Sequence, residues 1–129
     1  MLLDINVKAS LRVVQSVLPA MRARGRGQIA LMSSLAAYFG LPTTPSYSAS
    51  KAAVISYCES LRGELRGSGV QVVTIVPGYV ATPLTAHNSY AMPFLMTPEA
   101  FAEQAFQAIG AQTSYRVIPW QMGVAAKLL

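Results

Sequence analysis

The segment from Val70 to Val76 limits the possible folds of this chain more than any other feature. It is nearly continuous in apolar residues and lacks the polar alternation of a strand with one face in water. A strand of this kind is usually covered on both faces, as in a parallel sheet. A shorter apolar run at 28–33 precedes it, and a helical pattern at 46–66 lies between the two. Strand, helix and strand in this order predict parallel pairing through a right-handed crossover.

The remaining segments extend the same α/β pattern. Apolar residues at helical spacing predict a first helix over 4–24. Thr97-Pro98-Glu99 predicts the start of another helix, because it supplies a capping hydroxyl, a proline at the first position and an early carboxylate. That helix should end at Gly110, and a last short strand is predicted from Tyr115 to Ile118. The tail that follows is only weakly amphipathic.

Tyr47 and Lys51 form the first candidate for chemistry. Both belong to the predicted helix at 46–66 and are four residues apart, so their Cβ atoms should lie about 5–6 Å apart on one face. An ammonium this close to a phenol favours the phenolate, and the nearby helix N-terminus acts in the same direction. Such a tyrosine could exchange a proton near neutral pH, as general acid–base catalysis requires. The alternative is an exposed pair on a helix surface.

Other residues place this pair in a wider pattern. Ser34 ends the predicted strand at 28–33 and precedes Tyr47 by thirteen positions, while Asn6 lies near the start of the first helix. The segment Pro77-Gly78-Tyr79-Val80-Ala81-Thr82 follows the central strand. Taken singly, Asn6 could be a helix cap and Ser34 a turn residue. Together these motifs resemble the short-chain dehydrogenase/reductase family, and the resemblance covers nearly the whole chain.

The resemblance implies a role for each of these residues. Tyr47 would be the general acid–base, and Lys51 would favour its phenolate and hold the nicotinamide ribose of NAD or NADP. Ser34, rather than Ser33, would bind the substrate oxygen, and Asn6 would order a water that links Lys51 to solvent. The nicotinamide end would be positioned by four further residues: Pro77, Gly78, Val80 through its backbone, and Thr82 through its hydroxyl.

The resemblance also implies a substrate class and an assembly, while the single cysteine, Cys58, fits a reducing compartment. The loop at 83–96 would correspond to the family's variable substrate lid, and its large side chains suggest a hydrophobic or bulky alcohol or ketone. The helices at 4–24 and 46–66 would join subunits of a homodimer or homotetramer. The expected location is the cytoplasm. A non-catalytic assembly module derived from the family is the alternative function.

One feature of the family pattern is missing. The sequence contains neither Gly-x-x-x-Gly-x-Gly nor Gly-x-Gly-x-x-Gly, so it has no turn of the kind that holds a cofactor pyrophosphate. Three predicted strands also cannot make the full doubly wound sheet. We therefore expect residues 1–129 to be the C-terminal catalytic part of one Rossmann-type domain, without the dinucleotide-binding half. On this interpretation the chain alone would not convert substrate.

Composition narrows the remaining classes of function. Charged residues make up 12% of the chain against about 25% in a typical domain, which suggests a covered surface or a missing part of the fold. Net charge is +5, but no aromatic residues interleave Arg22, Arg24 and Arg26, so a nucleic-acid site is not expected. Cys58 and His87 are single residues of their types, which disfavours a disulfide or a metal site. No apolar run is long enough for a transmembrane helix.

Overall fold

A three-stranded parallel sheet forms the centre of the molecule. The computed structural model describes residues 4–38, 44–83, 85–86 and 91–128. Within these ranges the strands are β1 (Gly27–Met32), β2 (Val70–Pro77) and β3 (Tyr115–Ile118), in the order β1-β2-β3. Gly27 pairs with Val70, and Pro77 pairs with Ile118. This confirms the predicted α/β class and the partial Rossmann-type sheet with β2 at its centre.

Helices flank the strands in chain order. They are α1 (Ala9–Arg24), α2 (Pro45–Glu64), α3 (Pro98–Gly110) and α4 (Trp120–Leu128). The boundaries of α2 and β1 differ from the predicted ones by one or two residues, a usual margin at helix and strand ends. A π-helical turn, Asp4–Lys8, precedes α1 where continuous helix was predicted. Asp4 pairs with Lys8 at 3.2 Å on this turn.

Local sequence predicted the start of α3 but not the helix formed by the tail. Thr97 accepts a hydrogen bond from the amide of Ala100 at 3.1 Å, and Pro98 occupies the first turn, as predicted. The tail forms α4, which the weak amphipathic pattern did not predict. None of the helices in the described part of the chain combines the length and apolar character needed to cross a bilayer.

Both faces of β2 are buried, which explains its continuous apolar sequence. One cluster packs β1 and β2 against α1 and α2 and includes Val14, Cys58 and Val72. A second packs Val73 and Ile75 against α3. Because side chains alternate along a strand, neighbouring residues of β2 enter different clusters. The predicted covering of this strand by helices on both sides is therefore correct.

Arg62 fixes α2 to the sheet. Its Nε donates to the carbonyl of Val72 at 3.3 Å, and its Nη2 donates to Thr74 Oγ1 at 3.0 Å and to the carbonyl of Ser114 at 2.7 Å. Cys58 lies beside this network and is fully buried, and burial raises the pKa of its thiol. Cys58 is therefore suited to packing rather than to reaction, because the thiolate needed for nucleophilic attack is disfavoured there.

Candidate active site

A cleft of about 160 Å³ opens where β1 and β2 end. Ligands bind in this position, outside the carboxyl ends of the strands, in open α/β sheets. We call it the Ser34–Tyr47 cleft. It is lined by Ser34, Leu35, Ala36, Tyr47, Pro77, Gly78, Tyr79, Val80, Thr85 and Met122. Five of the predicted site residues therefore meet in one cleft: Ser34, Tyr47, Pro77, Gly78 and Val80.

Ser33 and Ser34 have different environments although they are neighbours. Ser33 is buried, and its hydroxyl donates to the carbonyl of Lys51 at 2.7 Å. Ser34 lines the cleft, and its Oγ accepts from the amide of Ala36 at 3.2 Å, so it also caps the short 3₁₀ helix Leu35–Ala37. A hydroxyl has one donor and two acceptor sites. None of the described residues accepts the hydrogen of the Ser34 hydroxyl, so a ligand in the cleft can accept it.

Tyr47 and Lys51 lie on consecutive turns of α2. The Lys51 ammonium is 5.8 Å from the centre of the Tyr47 ring and donates to the carbonyl of Met32 at 3.3 Å. Both side chains are half-buried, which contradicts the alternative of an exposed surface pair. Burial lowers the pKa of Lys51 from its ordinary value of 10.5. Lys51 lies behind Tyr47 rather than in the lining of the cleft.

Asn6 reaches α2 from the π-helical turn. Its Nδ2 donates to the hydroxyl of Ser50 at 3.1 Å, and that hydroxyl donates to the carbonyl of Tyr47 at 2.8 Å. Ser50 is fully buried between Asn6 and the turn of helix that carries Tyr47. Asn6 therefore supports this turn through Ser50 and does not line the cleft. The expected link from Asn6 through water to Lys51 stays a prediction.

The segment after β2 forms the second side of the cleft. The amide of Gly78 donates to the carbonyl of Ile118 at 2.8 Å. A side chain at Gly78 would come within 3.2 Å of Met122 and 3.3 Å of Pro119, so the first residues of α4 pack closely against this glycine. The close packing explains why a glycine follows Pro77 at the end of the strand.

Thr82 was expected to present its hydroxyl, but the structure places Thr85 in the lining of the cleft. Thr85 Oγ1 accepts from the amide of Thr82 at 2.9 Å and lies 3.0 Å from the carbonyl of Val80, to which it donates. It therefore connects Thr85 to the backbone at Val80 and Thr82. The proposed contact of Thr82 with a cofactor stays a prediction.

Sequence reasoning missed six residues of this region: Leu35, Ala36, Ser50, Tyr79, Thr85 and Met122. Ser50 could have been predicted from its position next to Lys51. It is a small polar residue on the face of α2 toward the first helix, and a buried polar residue there needs a hydrogen-bond partner. Met122 could not have been predicted from the sequence pattern, since it belongs to α4, a helix that was not predicted. Leu84 and Tyr90, counted among the large side chains of the predicted lid, lie outside the described residues.

Comparison with known proteins identifies the family. A model of the short chain dehydrogenase family matches residues 1–93, which is more than half of the chain. The chain belongs to the short-chain dehydrogenase/reductase family. An uncharacterized oxidoreductase of Myxococcus xanthus is 40% identical over 127 residues, which are 98% of this chain and 50% of the relative. Ketoacyl reductase HetN of Nostoc is 34% identical over 119 residues, 89% of this chain and 42% of the relative.

Solved structures of the family share the fold. A short chain dehydrogenase/reductase family protein superposes with a TM-score of 0.77 at 29% identity, over 89% of this chain and 53% of its own. A short-chain dehydrogenase from Sphingobium yanoikuyae in complex with NADPH gives 0.79 at 21% identity, over 95% and 52%. The chain thus spans about half the length of the family members it matches.

We expect the buried ammonium of Lys51 to make stability depend on pH. Between its lowered pKa and 10.5, the unfolded chain holds a proton on this lysine that the folded protein does not. The free energy of unfolding should therefore rise with pH through this window and fall as pH decreases. Lys51→Met should lack this rise, whereas Lys127→Met, at an exposed position of α4, should keep it.

Urea unfolding of the three proteins between pH 8 and 10.5 would measure this effect. Burial raises the pKa of Tyr38 and Tyr57, which act in the opposite direction at high pH, but they are common to all three proteins. Differences between each variant and the wild type therefore isolate the lysine. Parallel curves for the wild type and Lys51→Met would contradict the expectation.

Proposed function

We propose that this chain forms the catalytic part of an NAD- or NADP-dependent oxidoreductase that interconverts an alcohol and a ketone or aldehyde. The observation that carries the proposal is that Ser34 and Tyr47 line one cleft at the carboxyl ends of β1 and β2, with Lys51 one helical turn from the tyrosine. Two hydroxyls facing one small volume can hold and protonate a single substrate oxygen. The family membership supports the same reaction class.

The residues present suit the reactive end of a nicotinamide cofactor. Ser34, Tyr47 and the segment Pro77–Val80 line the cleft at the edge of the sheet where doubly wound folds bind ligands, and Lys51 lies one helical turn from Tyr47. The volume of about 160 Å³ is below the 300–1,000 Å³ typical of small-molecule sites, so it suits part of a dinucleotide. Lys51 would hold the ribose, and Pro77, Gly78, Val80 and Thr82 would position the ring. When bound, the cofactor supplies or accepts the hydride.

The protein's own groups handle the proton. During carbonyl reduction, the Ser34 hydroxyl donates a hydrogen bond to the substrate oxygen, while the Tyr47 hydroxyl transfers its proton to that oxygen. In alcohol oxidation Tyr47 takes the proton back. The Lys51 ammonium, 5.8 Å from the centre of the Tyr47 ring, places a positive charge on the neighbouring turn of α2. Asn6 and Ser50 hold the turn of α2 on which Tyr47 depends.

The substrate we propose is hydrophobic or bulky. Phe94 and Leu95, in the described part of the segment that follows the cleft, are 53% and 47% exposed. Exposed apolar side chains of this kind are typical of a surface that a ligand or partner covers. The residues that decide between NAD and NADP are not among those that line the Ser34–Tyr47 cleft.

An assembly role rests on a separate observation. Ala49, Ser56 and Ser60 form an exposed row of small side chains on α2, and Val13 is 62% exposed on α1. Small side chains would let a neighbouring helix approach closely. Joining of subunits into a homodimer or homotetramer through these helices remains a prediction, as does the cytoplasmic location.

The proposed chemistry can be tested with a matched pair of serines. In the protein expressed from its complete reading frame, Ser34→Ala should lower kcat for NAD(P)H-dependent ketone reduction by about 10²–10³-fold, as for loss of an oxyanion donor. Ser33→Ala should leave kcat closer to the wild type and lower the free energy of unfolding by about 1 kcal/mol, because it loses one buried hydrogen bond. Equal kcat in Ser34→Ala and the wild type would exclude the role proposed for Ser34.

A further inference from the structure

A hollow of about 560 Å³ lies along β3 and α4, and it shares no lining residue with the Ser34–Tyr47 cleft. Its volume falls within the range of about 300–1,000 Å³ that is typical of small-molecule sites. We call it the β3–α4 hollow. Its lining includes three aromatic residues, Tyr38, Tyr115 and Trp120, and two basic residues, Arg116 and Lys127. The other lining residues are small or aliphatic and belong to β3 and α4.

Packing in the protein core fixes the floor and walls of this hollow. Tyr115 and Val117 pack against the buried cluster that includes Leu35. A Cβ added at Gly123 would lie 3.2 Å from Val117, so α4 is held close against β3. The amide of Tyr38 donates to the carbonyl of Leu35 at 3.0 Å. The hollow is therefore formed before any ligand binds, which reduces the ordering cost of binding.

The two basic residues lie at the same end of the hollow. α4 begins two positions after the end of β3, and Gly123 already lies against Val117, so the helix runs back along the strand. From Gly123 to Lys127 the helix rises about 6 Å. From Val117 back to Arg116 the strand covers about 3 Å in the same direction. Lys127 therefore comes level with the beginning of β3, where Arg116 lies.

The charge of the lining favours an anion. Neither Arg116 nor Lys127 forms an ion pair with a carboxylate in the described part of the chain, and no described carboxylate lines the hollow. Burial raises the pKa of Tyr38, and the charge of Glu59 adds to this effect. An anionic group of a ligand is therefore favoured toward Arg116 and Lys127 and away from Tyr38, where Glu59 would repel it.

The rest of the lining favours an apolar body. Tyr38, Trp120 and Val124 are exposed, and covering them would remove apolar surface from water, which is favourable. Guanidinium and ammonium groups form strong hydrogen bonds with carboxylates. A molecule with one carboxylate and a compact apolar body therefore matches both parts of the lining.

We propose that the β3–α4 hollow binds a carboxylate with a compact apolar body. The carboxylate pairs with Arg116 and Lys127, and the body covers Trp120 and Val124. Binding involves no residue of the Ser34–Tyr47 cleft, no cofactor and no hydride transfer. The proposal therefore goes beyond the proposed oxidoreductase function and holds or fails independently of it.

The test uses two probes of nearly the same shape, 1-adamantanecarboxylate and 1-adamantanecarboxamide, with the protein expressed from its complete reading frame and without cofactor. Trp120 lines the hollow, so the difference in fluorescence between the wild type and Trp120→Phe reports binding. The carboxylate should bind about 10-fold more tightly than the amide, as expected for two partly exposed ion pairs. This preference should shrink in about 1 M salt, where the screening length is about 3 Å. Equal affinities at low salt, or no saturable change in fluorescence, would overturn the proposal.

Variants of the two basic residues test the pairing. Arg116→Gln and Lys127→Gln should each reduce the preference for the carboxylate about threefold, and the double variant should lose it. Arg12→Gln is the control, since it removes the same charge from an exposed position of α1 outside the hollow, and it should keep the preference. A preference that survives in the double variant would contradict the roles of Arg116 and Lys127.

A second copy of this chain is the competing occupant of the hollow, and light scattering distinguishes it. The molar mass should be the same with and without saturating 1-adamantanecarboxylate, and the affinity should not depend on protein concentration. An affinity that falls as protein concentration rises, with dissociation of a dimer by the probe, would show that a second copy covers the hollow. That result would overturn the proposal.

Discussion

Replacing Tyr47 by phenylalanine is expected to lower kcat for carbonyl reduction by about 10³-fold or more, with the fold retained. General acid–base catalysis by a positioned side chain contributes about 10²–10⁴-fold, and the variant loses only the hydroxyl that exchanges the proton. The ring of Tyr47 remains beside Lys51, and the main-chain carbonyl that accepts from Ser50 is unchanged. Steady-state kinetics and circular dichroism of the full-length protein would separate chemistry from folding.

Two tyrosines provide matched controls for this variant. Tyr57 lies on the same helix and packs against the core near Val14 and Cys58, away from the cleft. Tyr79 lines the cleft together with Tyr47. Tyr57→Phe should leave kcat within a few fold of the wild type, and Tyr79→Phe should reduce it far less than Tyr47→Phe does. A Tyr47→Phe protein that keeps kcat within 10-fold of the wild type would remove Tyr47 as the proton donor.

The parts of the fold that could be predicted are those with strong local signals. β1 and β2 are apolar runs that follow Gly25 and Gly69, and β2 ends at Pro77, so strand positions were predicted within one residue. The pairing of Ser34 with Tyr47 across one cleft was also predictable, because a strand end and the following helix start meet at one edge of a parallel sheet. Ser34 and Tyr47 were selected because they match the family pattern, and the periodicity of apolar residues did not indicate them.

The missing parts depend on contacts between distant segments. α4 has weak amphipathicity and is placed by packing on β3 and on Gly78, so its sequence did not predict it. As a result Met122 was absent from the predicted site. Thr85, rather than Thr82, lines the cleft, and its hydroxyl is held by the backbone at Thr82 and Val80. Helix propensity and the spacing of apolar residues do not predict hydrogen bonds of this kind.

Replacing Gly69 by alanine is expected to lower the free energy of unfolding by more than about 3 kcal/mol, since left-handed strain and overpacking act together. Gly69 has φ +85°, a conformation that strains a residue with a side chain. A Cβ there would also overlap the carbonyl oxygen of Gly25 and lie 2.7 Å from its carbonyl carbon. Neither backbone segment can move aside without disturbing the pairing of Gly27 with Val70. Urea unfolding, with the folded fraction measured by circular dichroism, would give the loss of stability.

Gly67→Ala separates the two causes. Gly67 has φ +81° but nothing within 4 Å of an added Cβ, so its substitution should cost only about 1 kcal/mol of backbone strain. The difference between the two variants measures the contact of Gly69 with Gly25. That contact lies where β1 and β2 begin, and the pairing that starts there, from Gly27 and Val70 to Met32 and Ile75, sets how far each strand reaches toward the cleft. Folded Gly69→Ala protein should therefore lose activity, because Ser34 is displaced relative to Gly78. Equal losses of stability in the two variants would show that the contact does not hold the register.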